Sequence, residues 1–599
     1  MRLWLHVIGI VALIFGVPVR GAVGAITPNA ALEPPEAATI LELTRAAAPD
    51  RWAANVPAVR QAARTAYENE RWVAARGWLH IAKWAELFAR TEAQFTPTWI
   101  KAVESAQVAH PQMRTRYEMS DLPLGRSLSV ELQTWLVNNE AFSAEFFAVL
   151  TPQDYVPEVF RILNALHQRD PITFARYASL ALAIALVYDV PPPPHWPHGQ
   201  VTSSALPRKW PAPSEAFNWW VREDLAGRTY HRLARLPADE LKFAVDAVAP
   251  FEQLVWAQRT VNVPLAQLDQ AYAMIRYRKD RIAKGQAIWP GPNYTLKTIL
   301  RDGGICVDQA YFATEVGKAR GVPTLLFYGA GKDGRHAWFG FLDGAQTWRL
   351  DAGRFEEQRL VSGHALDPQT WREISDHELK FLTERFRAQP LFRESELHAA
   401  FAADYLATGR AELAVKAARR AVAVERRNLA AWETLLAAEA ANGGTARQLE
   451  GTLRAAVVAF QAYPDLEVLF SNRISASLRA RGEGSAARME ERIIAEKNQA
   501  KRSDLSARQA REILARSIAS DRPAAQILVF NSIMENYGRG AGIDFFDHVV
   551  VFFAQHLMRT GDKASAQAAL ARARQTLRVE PHSQLAGELT KLETLVRGN

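Results

Sequence analysis

Cysteine is almost missing: the 599 residues contain one, Cys306. No intramolecular disulfide can form, so the chain must be held by packing and polar contacts alone. A lone thiol is either buried and inert or kept for its reactivity. Long blocks of like charge are missing too. The 72 basic and 64 acidic residues are interspersed and leave a formal charge of +8, so there is no basic arm and no nucleic-acid partner is expected. That mild excess suits an anionic cell-envelope polymer as much as a merely solvated surface. Beyond the first residues no stretch is apolar enough to span a bilayer. No acidic cluster resembles a calcium loop, and His195 and His198 lack further ligands beside them, so no metal and no cofactor are expected.

The first 25 residues read as an export signal: Arg2, an apolar run over 3–19 interrupted by His6, then small residues Ala22, Val23, Gly24 and Ala25. A mature chain starting near Ile26 and released to the periplasm or medium is expected, with an uncleaved N-terminal anchor as the alternative. No cysteine lies nearby to carry a lipid.

What is present is ordinary globular material, 48% apolar and 23% charged, with 17 Trp, 14 Tyr and 27 Phe for core packing or for lining a groove. The length exceeds what one core can organise and implies several units. Residues 26–190 follow a helical period, for example Trp72, Ala75, Leu79, Ala82 and later Val159, Leu163, Leu166. Residues 191–213 open with four consecutive prolines and read as an extended connector. Residues 214–385 begin with helices and then change character. Gly303 and Gly304 lead into Cys306, a helical pattern follows, and apolar runs at 324–328, 337–342 and 347–350 read as strands. This is an α+β unit, a helix packed on an antiparallel sheet.

Residues 390–599 carry a repeat. Gly409, Gly444, Gly482 and Gly561 each lie five residues before an apolar position (Ala414, Leu449, Ala487, Ala566) and twelve before another (Ala421, Ala456, Ile494, Ala573). Spacings of 35 and 38 residues between the first three glycines fit helix-turn-helix units. They resemble tetratricopeptide repeats, although the Trp and Leu-Gly positions of that repeat are mostly replaced. Such arrays offer concave surfaces to a protein partner.

A thiol nucleophile needs a base, a group to orient the base, and donors for the developing oxyanion. Cys306 opens a helix, whose terminal amides and dipole should favour its charged form, and Gly303 and Gly304 allow close approach of a substrate carbonyl. His336 begins one strand and Asp351 ends the next. Asp343 and Gly344 between them read as a two-residue hairpin turn, which places His336, seven residues before Asp343, directly opposite Asp351, seven after Gly344. A carboxylate could hold the imidazole from there.

The blocks Gly303-Gly304-Ile305-Cys306-Val307-Asp308-Gln309-Ala310, Ala319-Arg320-Gly321-Val322-Pro323, His336-Ala337-Trp338 and Trp348-Arg349-Leu350-Asp351 resemble, in that order, the motifs of the transglutaminase-like superfamily. The resemblance implies a papain-like core with Cys306 as nucleophile, His336 as base and then acid, and Asp351 as the orienting acid. It implies attack on peptide or side-chain amides of a protein or peptide substrate, followed by hydrolysis or amine transfer. Leu300 occupies the position where papain-like proteases carry an oxyanion glutamine. Trp289, Asn293 and Tyr294 are candidates to replace it, together with the Gly304 amide. Asp308 and Gln309 either touch substrate or cap the helix, and Trp338 either walls the cleft or fills the core. The rival expectation is an inactive scaffold whose repeats bind a partner.

Overall fold

The computed structural model describes residues 26–105, 120–332, 334–354, 362–539 and 541–598; the export-signal reading falls outside them. Among the described residues no helix is long and apolar enough to cross a membrane.

Helices dominate the N-terminal third because apolar residues recur at helical spacing and small ones let the helices approach closely. Val56–Glu68 packs antiparallel on Trp72–Ala89 through Ala62, Ala63 and Ala66 on one side and Ala74 and Ala75 on the other. Trp84, Phe88, Phe146 and Phe160 meet in one aromatic cluster. The helix Ala178–Tyr188 is buried on every side from Leu180 onward, as its uninterrupted apolar sequence requires.

The proline-rich stretch is neither helix nor strand, turning at 193–196 and at 202–206, and it is partly buried. Trp196 and His198 are each only 2% exposed, and Val201 and Leu206 are buried beside them. It forms a strap against the sheet unit, tied by Arg208, which donates to the carbonyls of His198, Leu206 and Val201. One continuous apolar core runs from Ala31 to Ala487 and a second from Ala495 to Val596. The break between cores therefore falls inside the repeats and not at the prolines.

The sheet is antiparallel throughout, in the order β3-β2-β1-β4-β5, with β1 Thr324–Ala330, β2 Arg335–Leu342, β3 Trp348–Ala352, β4 Gly363–Leu366 and β5 Glu373–Ser375. The cysteine helix, Cys306–Ala319, packs on β1 and β2. The architecture is thus α+β with helical flanks. From Pro390 on, helices pair antiparallel around turns closed by Gly409, Gly443, Gly482 and Gly561, all at positive φ. The second turn glycine is Gly443, one residue earlier than expected; Gly444 is instead pressed against the Glu439 carbonyl. Ala414, Ala421, Ala456, Ala487, Ala566 and Ala573 are fully buried at the helix contacts, while Leu449 is half-buried.

Several acids are sealed in the seams. Asp246 pairs with Lys318 at 2.7 Å, both buried. Asp154 accepts hydrogen bonds from Gln369 at 3.0 Å, joining the N-terminal helices to the segment before β5. Burial lifts the carboxyls of Asp154 and Glu315 to about 7 and that of Asp246 to about 6, and it lifts Asp189 beside Asp154 as well. Each folded pKa lies above the unfolded value near 4, so the folded chain binds protons more tightly. The stability these groups contribute is full below about pH 4 and is lost as pH rises through the folded values. Urea denaturation across that window should show stability falling with rising pH, and Asp154→Asn should flatten the fall. An unchanged slope in the variant would contradict the assignment.

Candidate functional site

The helix begins at Cys306 because Ile305 is extended (φ −96°, ψ 179°) and its N–H donates to the Asp308 carboxylate at 2.8 Å. Asp308 is completely buried. It also receives Arg281 at 2.6 Å, itself 1% exposed, and the Tyr294 hydroxyl at 2.9 Å. Tyr294 in turn accepts from His198 Nε2 at 3.0 Å, which ties the proline strap to the start of the helix. Burial and the charge of Arg208 hold the His198 imidazole down to about 3, so it is neutral and its Nε2 carries hydrogen.

Both glycines before Cys306 have steric duties. Gly303 sits at φ +78°, where a Cβ would come within 2.4 Å of the Arg276 carbonyl oxygen, and a Cβ on Gly304 would lie 2.3 Å from that of Asp308. The Gly304 N–H donates to Arg276 O at 3.0 Å and its carbonyl accepts from Arg278 N–H at 2.9 Å. The Gly304 amide is therefore committed to the chain, and these glycines make room for neighbouring residues.

Cys306 is half-buried, and the amides of Ala337, the residue after His336, of Val307 and of Cys306 itself lie close enough to the sulfur to favour its charged form. Burial pushes the thiol up, Asp308 adds to this, and the amides offset only part of it. The expectation that the helix terminus would favour the charged form is thus reversed, because desolvation outweighs the terminus. Tyr272, Tyr277 and Tyr328 all lie close enough to the sulfur to feel its charge.

His336 is 6% exposed. Its Nε2 lies 2.8 Å from the Gly353 carbonyl oxygen and 3.3 Å from the Tyr272 hydroxyl, which donates to the Ala337 carbonyl at 2.9 Å. A carbonyl can only accept, so Nε2 carries the hydrogen, and burial lowers the pKa and keeps the ring neutral. Nδ1 is then the basic nitrogen. Gly353 can present its carbonyl because it sits at φ +85° with Tyr272 ring carbons 2.6 Å from where a Cβ would be. Trp338 stacks under the imidazole at 6.2 Å and donates from Nε1 to Leu350 O at 2.9 Å.

The register expected for the hairpin is corrected. Leu342 pairs with Trp348 across a loop of residues 343–347, in which Asp343 Oδ1 accepts the amides of Ala345 and Thr347 and Gln346 takes the positive φ. A bulge then shifts the pairing so that Phe339 meets Ala352. Asp351 consequently lies nearer Gly340 than His336. Its carboxylate is exposed, without a hydrogen bond or ion pair among the described residues. The groups found on His336 Nε2 are the Gly353 carbonyl and Tyr272.

The other candidates divide as follows. Trp289 donates from Nε1 to Asn293 O at 3.1 Å and is covered by Arg281, while Asn293 itself is exposed. Gln309 donates to Ile275 O at 2.8 Å. Trp289, Tyr294, Asp308, Gln309 and Trp338 are thus engaged in holding the helix and sheet, and the amides close to the sulfur are those of Ala337, Val307 and Cys306. Sequence reasoning missed Tyr272, Arg281 and Gly353. Only Gly353 left a signal, a glycine directly after a strand. Among the described residues no three His, Cys, Asp or Glu side chains gather into a metal site. Comparison with family models and with curated proteins returned no match.

A protonated resting thiol has a direct consequence. Ultraviolet titration of the Cys306 thiolate should give a midpoint above the roughly 8.5 of a free cysteine. A midpoint below that value would mean that the helix terminus prevails over burial.

Proposed function

We propose that the chain is an exported, transglutaminase-like cysteine enzyme with a papain-like core, acting on amides of proteins or peptides. The observation that carries this reading is the position of the Ala337 amide close to the Cys306 sulfur, directly after His336 in the strand, with His336 Nε2 held by the Gly353 carbonyl. Thiol and imidazole start uncharged. As Sγ bonds to the amide carbon, its proton passes to His336 Nδ1, and the imidazolium is held through Nε2–H by the Gly353 carbonyl. The amides of Cys306 and Ala337, which lie close to the sulfur, would serve as donors for the oxyanion. The imidazolium then gives its proton to the departing amine as the C–N bond breaks, leaving a thioester. Water or a second amine attacks the thioester, His336 takes that nucleophile's proton, and the thiol re-forms. Asp351, assigned by resemblance as the orienting acid, has only a screening part to play from its exposed position. The helical repeats recruit a protein partner or substrate.

The exposed Asp351 carboxylate also favours a second reading, an inactive scaffold in which the repeats carry the function. Intact-mass measurement after incubation with amide-bearing peptides separates the two. The enzyme reading predicts an acyl adduct on Cys306, absent in Cys306→Ala, formed about a hundredfold or more slowly in His336→Ala, and changed less than about tenfold in Asp351→Asn. Absence of any adduct with an intact thiol supports the scaffold.

A further inference from the structure

The end of the hairpin that carries His336 is built from pliable sequence. Gly329, Gly331 and Gly334 lie in or beside the turn joining β1 to β2, and the paired part of β3 ends at Ala352, opposite Phe339 and three residues short of His336. A glycine-rich turn of this kind loses much conformational freedom when it is ordered. β1 pairs Gly329 with His336 and Ala330 with Arg335, and contacts from outside the sheet must steady the turn beyond.

The last helices of the repeat array reach back and do so. Ile543 N–H donates to Gly331 O at 3.1 Å. Gly542 lies so close that a Cβ there would be 2.2 Å from the same oxygen. The Arg335 N–H donates to Gln584 Oε1 at 2.8 Å. The Arg335 guanidinium grips Asp547 with two bonds, at 2.6 and 3.1 Å, with Glu588 at 3.9 Å. Asp547 sits on a π turn, Phe546–Val551, a widened helical turn of the type often found at functional positions. Arg335 immediately precedes His336, and 212 residues separate it from Asp547.

We propose that Arg335 and Asp547 are positioning residues through which the C-terminal helices hold His336 against Cys306. This rests on the thiol–imidazole pair proposed above. The pair is 40% and 35% exposed, and exposed ion pairs contribute little to global stability, so its loss acts on the site while the fold persists. It also makes the thiol salt-sensitive, because exposed charges are screened.

The test uses the full-length protein and iodoacetamide, and needs no amide substrate. Asp547→Ala should slow alkylation of Cys306 near neutral pH roughly tenfold to a hundredfold, the scale on which small misplacements of a catalytic group act, with an unchanged melting temperature. Arg335→Ala should match it, the double variant should be no slower than either, and Arg335→Lys should recover part of the rate. In a His336→Ala background Asp547→Ala should change nothing. Equal slowing in both backgrounds, or no slowing in the native one, overturns the positioning role. If His336→Ala alone leaves alkylation unchanged, the thiol–imidazole pair itself is wrong, which is a separate failure.

Discussion

The buried Asp308 carboxylate is the contact on which the site depends. It accepts the Ile305 amide, the Arg281 guanidinium and the Tyr294 hydroxyl, and so decides where the cysteine helix starts. A buried charge is tolerated only when paired and hydrogen-bonded, and here every partner comes from a different stretch of chain. The proline strap reaches it through His198 and Tyr294, the segment before the glycines through Arg281. Cys306 is therefore fixed by long-range contacts as much as by its own helix.

Around that fixed point the chemistry follows from burial. The thiol and the imidazole are each pushed toward the neutral form, the one upward and the other downward. Neither needs a fixed countercharge at rest. A backbone carbonyl at Gly353, with Tyr272 beside it, fixes the tautomer, and in the proposed mechanism it would meet the positive charge on the ring. This gives an exposed Asp351 little to contribute, and it explains why the Tyr272 ring must pack on a residue without a Cβ.

Where the signal was local, the sequence was legible. The glycines before Cys306, the helix after it, the strand of His336 and the small residues of the repeats were all readable, because a short run of residues decides each of them. Asp351 was misplaced because loop length depends on how Asp343 satisfies nearby amides, and because a bulge changes the pairing afterwards. Neither shows in an Asp-Gly pair. The prolines announced a segment without helix, but its docking is decided by Trp196 and His198 meeting partners far along the chain. Tyr272 and Asp547, 64 and 212 residues from their contacts on the His336 strand, carry no local mark at all.

The proposed chemistry requires a neutral His336 with its hydrogen on Nε2. Nitrogen NMR of histidine-labelled protein, with His336→Ala to assign the signal, tests it most directly. The account predicts an Nε2–H ring that stays neutral at about pH 7 and charges only below the usual 6.5. An Nδ1–H ring, or an imidazolium at neutral pH, would contradict it.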